Sequence, residues 1–146
     1  MTDKRTDCEV LNDLYQNAHI ALQSISNVLE SLSCSPLKTE LKEEYDGYQR
    51  FMKEVEQYMK ARCLEPKDIN GMKKVMLKSS IKMKTMINNE PEKIADMMVK
   101  GTVMGITELH AIKNDKNLTL KEETCKFVDD LLSLEERYEE RLKKFL

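Results

Sequence analysis

Apolar residues recur along this chain at spacings of three and four, the repeat of an amphipathic helix. A first helix is predicted from about Cys8 to Leu32, with Leu11, Leu14, Tyr15, Ala18, Leu22, Ile25, Leu29 and Leu32 on one face. Ser33–Pro36 breaks it. Ser35 suits an N-cap and Pro36 the first turn of a second helix, which runs to about Cys63 along Leu37, Leu41, Tyr45, Tyr48, Met52, Val55 and Met59. After the break at Leu64–Pro66 a shorter third helix spans Asp68–Ile87, with Met72, Val75, Met76, Ser79, Met83 and Met86 on one side. A fourth starts near Glu90, carries Pro91 in its first turn and runs to about Lys113. Beyond the polar loop Asn114–Leu118, Thr119 is placed to cap a fifth helix, and Glu122 completes a capping-box pattern. Its stripe is Leu120, Thr124, Phe127, Leu131, Leu134, Tyr138, Leu142 and Phe145.

The fourth helix holds two glycines one turn apart, Gly101 and Gly105. Each costs roughly 1 kcal/mol relative to alanine in a helix interior. Close approach by a neighbouring helix offsets such a cost, so both are expected to face another helix within the fold. Helices one, two, four and five are long enough to be the walls of a bundle. The simplest assembly over residues 1–146 is one all-α domain: an up-down four-helix bundle with a short accessory helix between the second and fourth helices.

The chain has four glycines, three prolines and no tryptophan in 146 residues, in keeping with an all-helical domain. Its net charge of −2 gives no ground for bulk nucleic-acid binding. Cys8, Cys34, Cys63 and Cys125 are widely spaced and include no CxxC pair, so reduced thiols in the cytoplasm are the expectation. The segment MTDKRTDCEV has no apolar stretch of a signal peptide, and no apolar run approaches the ~20 residues of a membrane span.

The order of elements, with PKDINGMKKVMLKSSIKMKTM, KIADMMVKGTVMGITELHAIKN and a last helix ending in EERYEERLKKFL, resembles a small ferritin-like family of unknown function from spore-forming anaerobic bacteria. Its most specific feature is the run from Met98 to Ile106 around the two glycines. The resemblance covers nearly the whole chain. It implies a ferritin-like fold and no particular activity.

Ferritin-like dinuclear centres take a Glu from each of two helices and a Glu-x-x-His from each of the other two. Here Gln16 stands three residues before His19 and Thr107 three before His110, so neither histidine completes that motif. An iron or manganese site can still be drawn from Glu44, Glu108, Glu135 and His19. The favoured expectation is that each of these acids lies at a helix flank with its head in water, because acidic residues are rarely buried. The third helix carries Lys73, Lys74, Lys78 and Lys82 opposite its methionines and is the first candidate for a partner surface; a homodimer is the other assembly left open. Cys34, just ahead of the second helix, is the more plausible reactive thiol. No phosphate loop, nucleophile elbow or zincin motif occurs. The expected role is a non-catalytic bundle without a complete dinuclear site, acting by protein–protein contact; the alternative is a metal-binding carboxylate protein.

Overall fold

The computed structural model describes residues 6–33, 35–62 and 90–146, and these form four helices: α1 (Asp7–Leu29), α2 (Pro36–Ala61), α3 (Pro91–Lys113) and α4 (Glu122–Lys143). The expected short helix with its lysines, Cys34 and Cys63 lie outside the described residues. None of the described helices is long and apolar enough to cross a membrane.

Helix ends follow local chemistry. The Thr6 side chain accepts a hydrogen bond from Glu9 N at 3.1 Å, and Ser35 accepts one from Lys38 N at 3.3 Å ahead of Pro36. The start of α4 differs from expectation. Thr119 caps nothing, and the helix begins at Glu122 with no side-chain cap from its own N-terminal residue. The acceptor comes from α1 instead: Asp7 Oδ2 accepts from Lys121 N at 2.9 Å and from Thr124 Oγ1 at 2.6 Å. A carboxylate at a helix N-terminus also meets the positive end of the helix dipole.

The two hairpins α1–α2 and α3–α4 provide the largest contacts; α1 packs on α3, and α2 on α4. Neighbouring helices are antiparallel. Along α2 and α4, Arg141 faces Glu40, Tyr48 meets Glu135 and Phe51 packs edge to face with Phe127, so residue numbers fall on one helix as they rise on the other. The diagonal pair α1 and α4 run parallel, since Asp7 meets Thr124 at one end and Asn17 meets Glu135 midway. It follows that α2 and α3 are also parallel. The order of directions of the four described helices is up, down, down, up, rather than simple alternation.

The core follows a seam with spacings of mostly three and four. On α2 it is Leu37, Leu41, Glu44, Tyr48, Phe51, Val55 and Met59, and on α4 it is Thr124, Val128, Leu131, Glu135, Tyr138 and Leu142. This is the spacing of helices packed at the shallow angle of a bundle. It rotates the inner face of α4 slightly from the expected stripe: Phe127, Leu134 and Phe145 are only partly buried, while Val128 and Leu132 are inside.

The two glycines of α3 separate. A Cβ on Gly105 would lie 2.8 and 2.9 Å from the Glu135 carboxylate oxygens and 3.1 Å from Asn17 Oδ1, so close approach does require glycine there. Around Gly101 nothing lies within 4 Å of a Cβ, which corrects the expectation that it faces a helix. The seam of α3 passes through Met98, Thr102, Gly105 and Leu109, and Gly101 falls to its outer side. A third glycine, Gly47 on α2, makes room for Tyr138, whose hydroxyl occupies the place a Cβ would take.

These environments predict opposite outcomes in urea denaturation. Gly101→Ala stabilises by about 0.5–1 kcal/mol, the difference in helix propensity. Gly105→Leu destabilises by more than about 2 kcal/mol through overpacking. A Gly105→Leu protein as stable as the parent would contradict the packing described here.

Candidate functional site

The middle of the bundle is polar. Each helix sends one position of its seam to this layer: Asn17 from α1, Tyr48 from α2, Gly105 from α3 and Glu135 from α4. Tyr48 Oη donates to Glu135 Oε2 at 3.1 Å, and Asn17 Nδ2 donates to the Gly105 carbonyl at 3.4 Å. Asn17 also hydrogen-bonds to the Glu135 carboxyl. Toward the start of α2 and the end of α4, a second acid, Glu44, lies in the core beside Glu40. Tyr48 and Tyr138 pack edge to face with centroids 5.4 Å apart and line the space between the two acids.

Glu44 is 1 % exposed and Glu135 is 2 % exposed. The expectation that their heads reach water is therefore overturned. The reason lies in spacing: both sit at seam positions, Glu44 between Leu41 and Tyr48, and Glu135 between Leu131 and Tyr138. Glu108 does conform, being exposed on α3. His19 is half-buried on α1 and packs against Tyr15, with ring centroids 6.3 Å apart. His110 is exposed in the last turn of α3.

Burial dominates the electrostatics. It pushes the Glu44 carboxyl up to about 10, helped by the hydrogen bond and charge of Glu40 and opposed by Arg141. It pushes Glu135 up to about 8, with the charge of Glu108 adding to the rise and the hydrogen bonds from Tyr48 and Asn17 opposing it. Burial likewise raises the Tyr48 hydroxyl far above its ordinary value. At neutral pH both carboxyls hold their protons, so the interior carries hydrogen-bonding acids rather than a cluster of anions. Glu44 Oε2 and Glu135 Oε1 are buried without a hydrogen-bond partner.

Glu44, Glu108, Glu135 and His19 are not drawn to one point. Among the described residues no group of three or more histidine, cysteine, aspartate or glutamate side chains is placed to hold a metal ion. The central layer offers one carboxyl, an amide, a phenol and a backbone carbonyl. This donor set does not fit a dinuclear centre, which needs carboxylates or imidazoles from all four helices. Cys8 and Cys125 are free thiols; Asn12 Nδ2 donates to Cys8 Sγ at 3.6 Å, and Cys125 is exposed.

The sequence reading missed Asn17, Gly47 and the pairing of Tyr48 with Glu135. The usable signal was the seam itself: two runs spaced by threes and fours, each interrupted by a single glutamate where an apolar residue belongs. Comparison with family models, with curated proteins and with solved structures finds no match to this chain.

Raised carboxyls fix the pH dependence of stability. In the unfolded chain these acids titrate near 4.5, while the folded state keeps its protons to about 8 at Glu135 and about 10 at Glu44. The folded state thus binds more protons across that interval. Its stabilisation is complete below about 4.5 and is lost as pH rises, by up to about 1.4 kcal/mol per pH unit for each group. Glu135→Gln, which mimics the protonated form, is expected to unfold at higher urea than the parent at pH 8, by at least about 1.4 kcal/mol, and to flatten the slope between pH 5 and 8. A variant less stable than the parent at pH 8, with an unflattened slope, would contradict a protonated Glu135 in the folded state.

Proposed function

We propose that this chain is a ferritin-like bundle whose interior is neutralised by protons rather than by metal, and that it works in the cytoplasm through contact with a protein partner or a second copy of itself, not by catalysis. The observation that carries this reading is the makeup of the central layer, where α1 supplies an amide and α3 only backbone at the places a dinuclear centre needs acids or imidazoles. Ferritin-like membership is supported by two independent features. One is the parallel arrangement of α2 and α3, the directions these two helices take in ferritin-like bundles. The other is the resemblance carried by the run from Met98 to Ile106.

The surface reading has support on α3, where Val103 and Met104 are large apolar side chains with 41 % and 48 % of their surface exposed. Residues of this kind contribute to contacts when a partner covers them.

A metal-binding role, with iron or manganese, has one observation in its favour: the buried oxygens Glu44 Oε2 and Glu135 Oε1 lack partners that a cation could supply. Metal analysis of protein purified from its native host, with thermal unfolding under added Fe(II) or Mn(II), separates the two. Substoichiometric metal and an unchanged midpoint are expected. Stoichiometric iron or manganese, lost in Glu135→Gln, would replace the proposal with the metal-binding one.

A further inference from the structure

The chain draws 19 of its 24 basic residues from lysine and only five from arginine, at positions 5, 50, 62, 137 and 141. Three of those five arginines, Arg50, Arg137 and Arg141, line one open groove of about 610 Å³ on the outer face of α2 and α4. That concentration sets the groove apart from the lysine-rich surface around it.

The floor of the groove is a closely packed tyrosine. Tyr138 is 4 % exposed, its hydroxyl fills the space left by Gly47, and its ring packs on Tyr48. Arg137 and Arg141 lie over this ring with guanidinium carbons 5.9 and 6.0 Å from its centroid. At that distance the ring face attracts both guanidinium groups weakly and leaves their forks open to a ligand.

The guanidinium groups are not committed to strong partners. Arg141 is 3.7 Å from Glu43 Oε2 and 3.9 Å from Glu40 Oε2, both longer than a charge-assisted hydrogen bond. Arg50 and Arg137 have no ion-pair partner among the described residues. Glu43 and Asp46 stand at the groove as well, and they define the class of ligand. A singly charged carboxylate brings nothing that Glu43 does not already provide to Arg141. Arg50, Arg137 and Arg141 face two acids, so a ligand must bring more than one negative charge to compete with Glu43 and Asp46; a compact ligand with several phosphoryl groups does so, and its tetrahedral oxyanions match planar guanidinium forks two bonds at a time.

We propose that the groove formed by Arg50, Arg137 and Arg141 over Tyr138 is a binding site for a small polyphosphate-bearing ligand. The site lies on the outside of the bundle; Arg141 is shared with the surroundings of Glu44, but the proposed function requires no ligand here, so failure of this test would leave it untouched.

The test uses the full chain and inorganic tripolyphosphate, titrated calorimetrically at physiological ionic strength, with acetate as the singly charged comparison. Saturable one-to-one binding of tripolyphosphate, with none of acetate, is expected. Arg50→Ala and Arg137→Ala each weaken it about tenfold, the loss of one charge-assisted pair. Arg141→Lys, which keeps the charge and loses the fork, also weakens it. Arg62→Ala removes an arginine stacked on Tyr58 outside the groove and leaves affinity unchanged. Circular dichroism of each variant verifies folding. Absence of saturation up to millimolar tripolyphosphate would overturn the proposal, as would an equal loss from Arg62→Ala, which signals bulk electrostatics only.

Discussion

Placing the Glu135 carboxyl at the centre of the bundle constrains every helix around it. A carboxyl taken out of water needs donors, and α2 and α1 supply them through Tyr48 and Asn17. It also needs volume, which α3 provides by having no side chain at Gly105. The same logic repeats toward the end of α4, where the bulk of Tyr138 is accommodated by Gly47 on α2. Position by position, a large polar group on one helix is matched by a glycine on its neighbour. A seam built this way favours one register: a shift of α3 by one turn would set Thr102 or Leu109 against the carboxyl in place of Gly105. Buried polar groups serve this specifying role in other helical assemblies, at some expense of stability.

Charge is sorted by depth. Pairs within a single helix, such as Glu56 with Lys60 and Asp96 with Lys100, lie at the surface, where water and salt screen them and each contributes little. Among the described residues the ion pairs that join helices are fewer. Lys113 reaches Asp129 at 3.0 Å beside the α3–α4 connection, and Arg141 spans from α4 to Glu40 and Glu43 on α2. The interior is left to neutral acids, phenols and amides, which interact through directed hydrogen bonds. Shape and hydrogen bonding therefore fix how the helices meet, while net charge is confined to the outside.

Much of the architecture was legible from local signals. Ser35 and Pro36 mark the start of α2, and the ranges of the four described helices follow from punctuation and apolar spacing. The tertiary contributions were not legible in the same way. Thr119 and Glu122 have the spacing of a capping box, yet the acceptor at that end belongs to α1, and no local window contains Asp7 and Lys121 together. Gly101 and Gly105 look equivalent in sequence and differ in the fold, because a turn of helix is not a whole number of residues and only one of them stays on the seam. The acids misled for a statistical reason. Most glutamates are exposed, and that prior outweighed two heptad-like runs in which Glu44 and Glu135 occupy inward positions. The direction of α2 relative to α3 depends on contacts between distant residues, such as Asp7 with Thr124, and helix periodicity does not encode it.

The Asp7 contact bears on how the molecule comes together. The amide of Lys121 and the hydroxyl of Thr124 both find their acceptor on the first turn of α1, across 114 and 117 residues of chain. Until α1 has docked, the hairpin of α3 and α4 starts its last helix with those donors exposed to water. The last helix thus takes the acceptor at its start from the first helix, so docking of α1 adds directly to the stability of the N-terminal turn of α4.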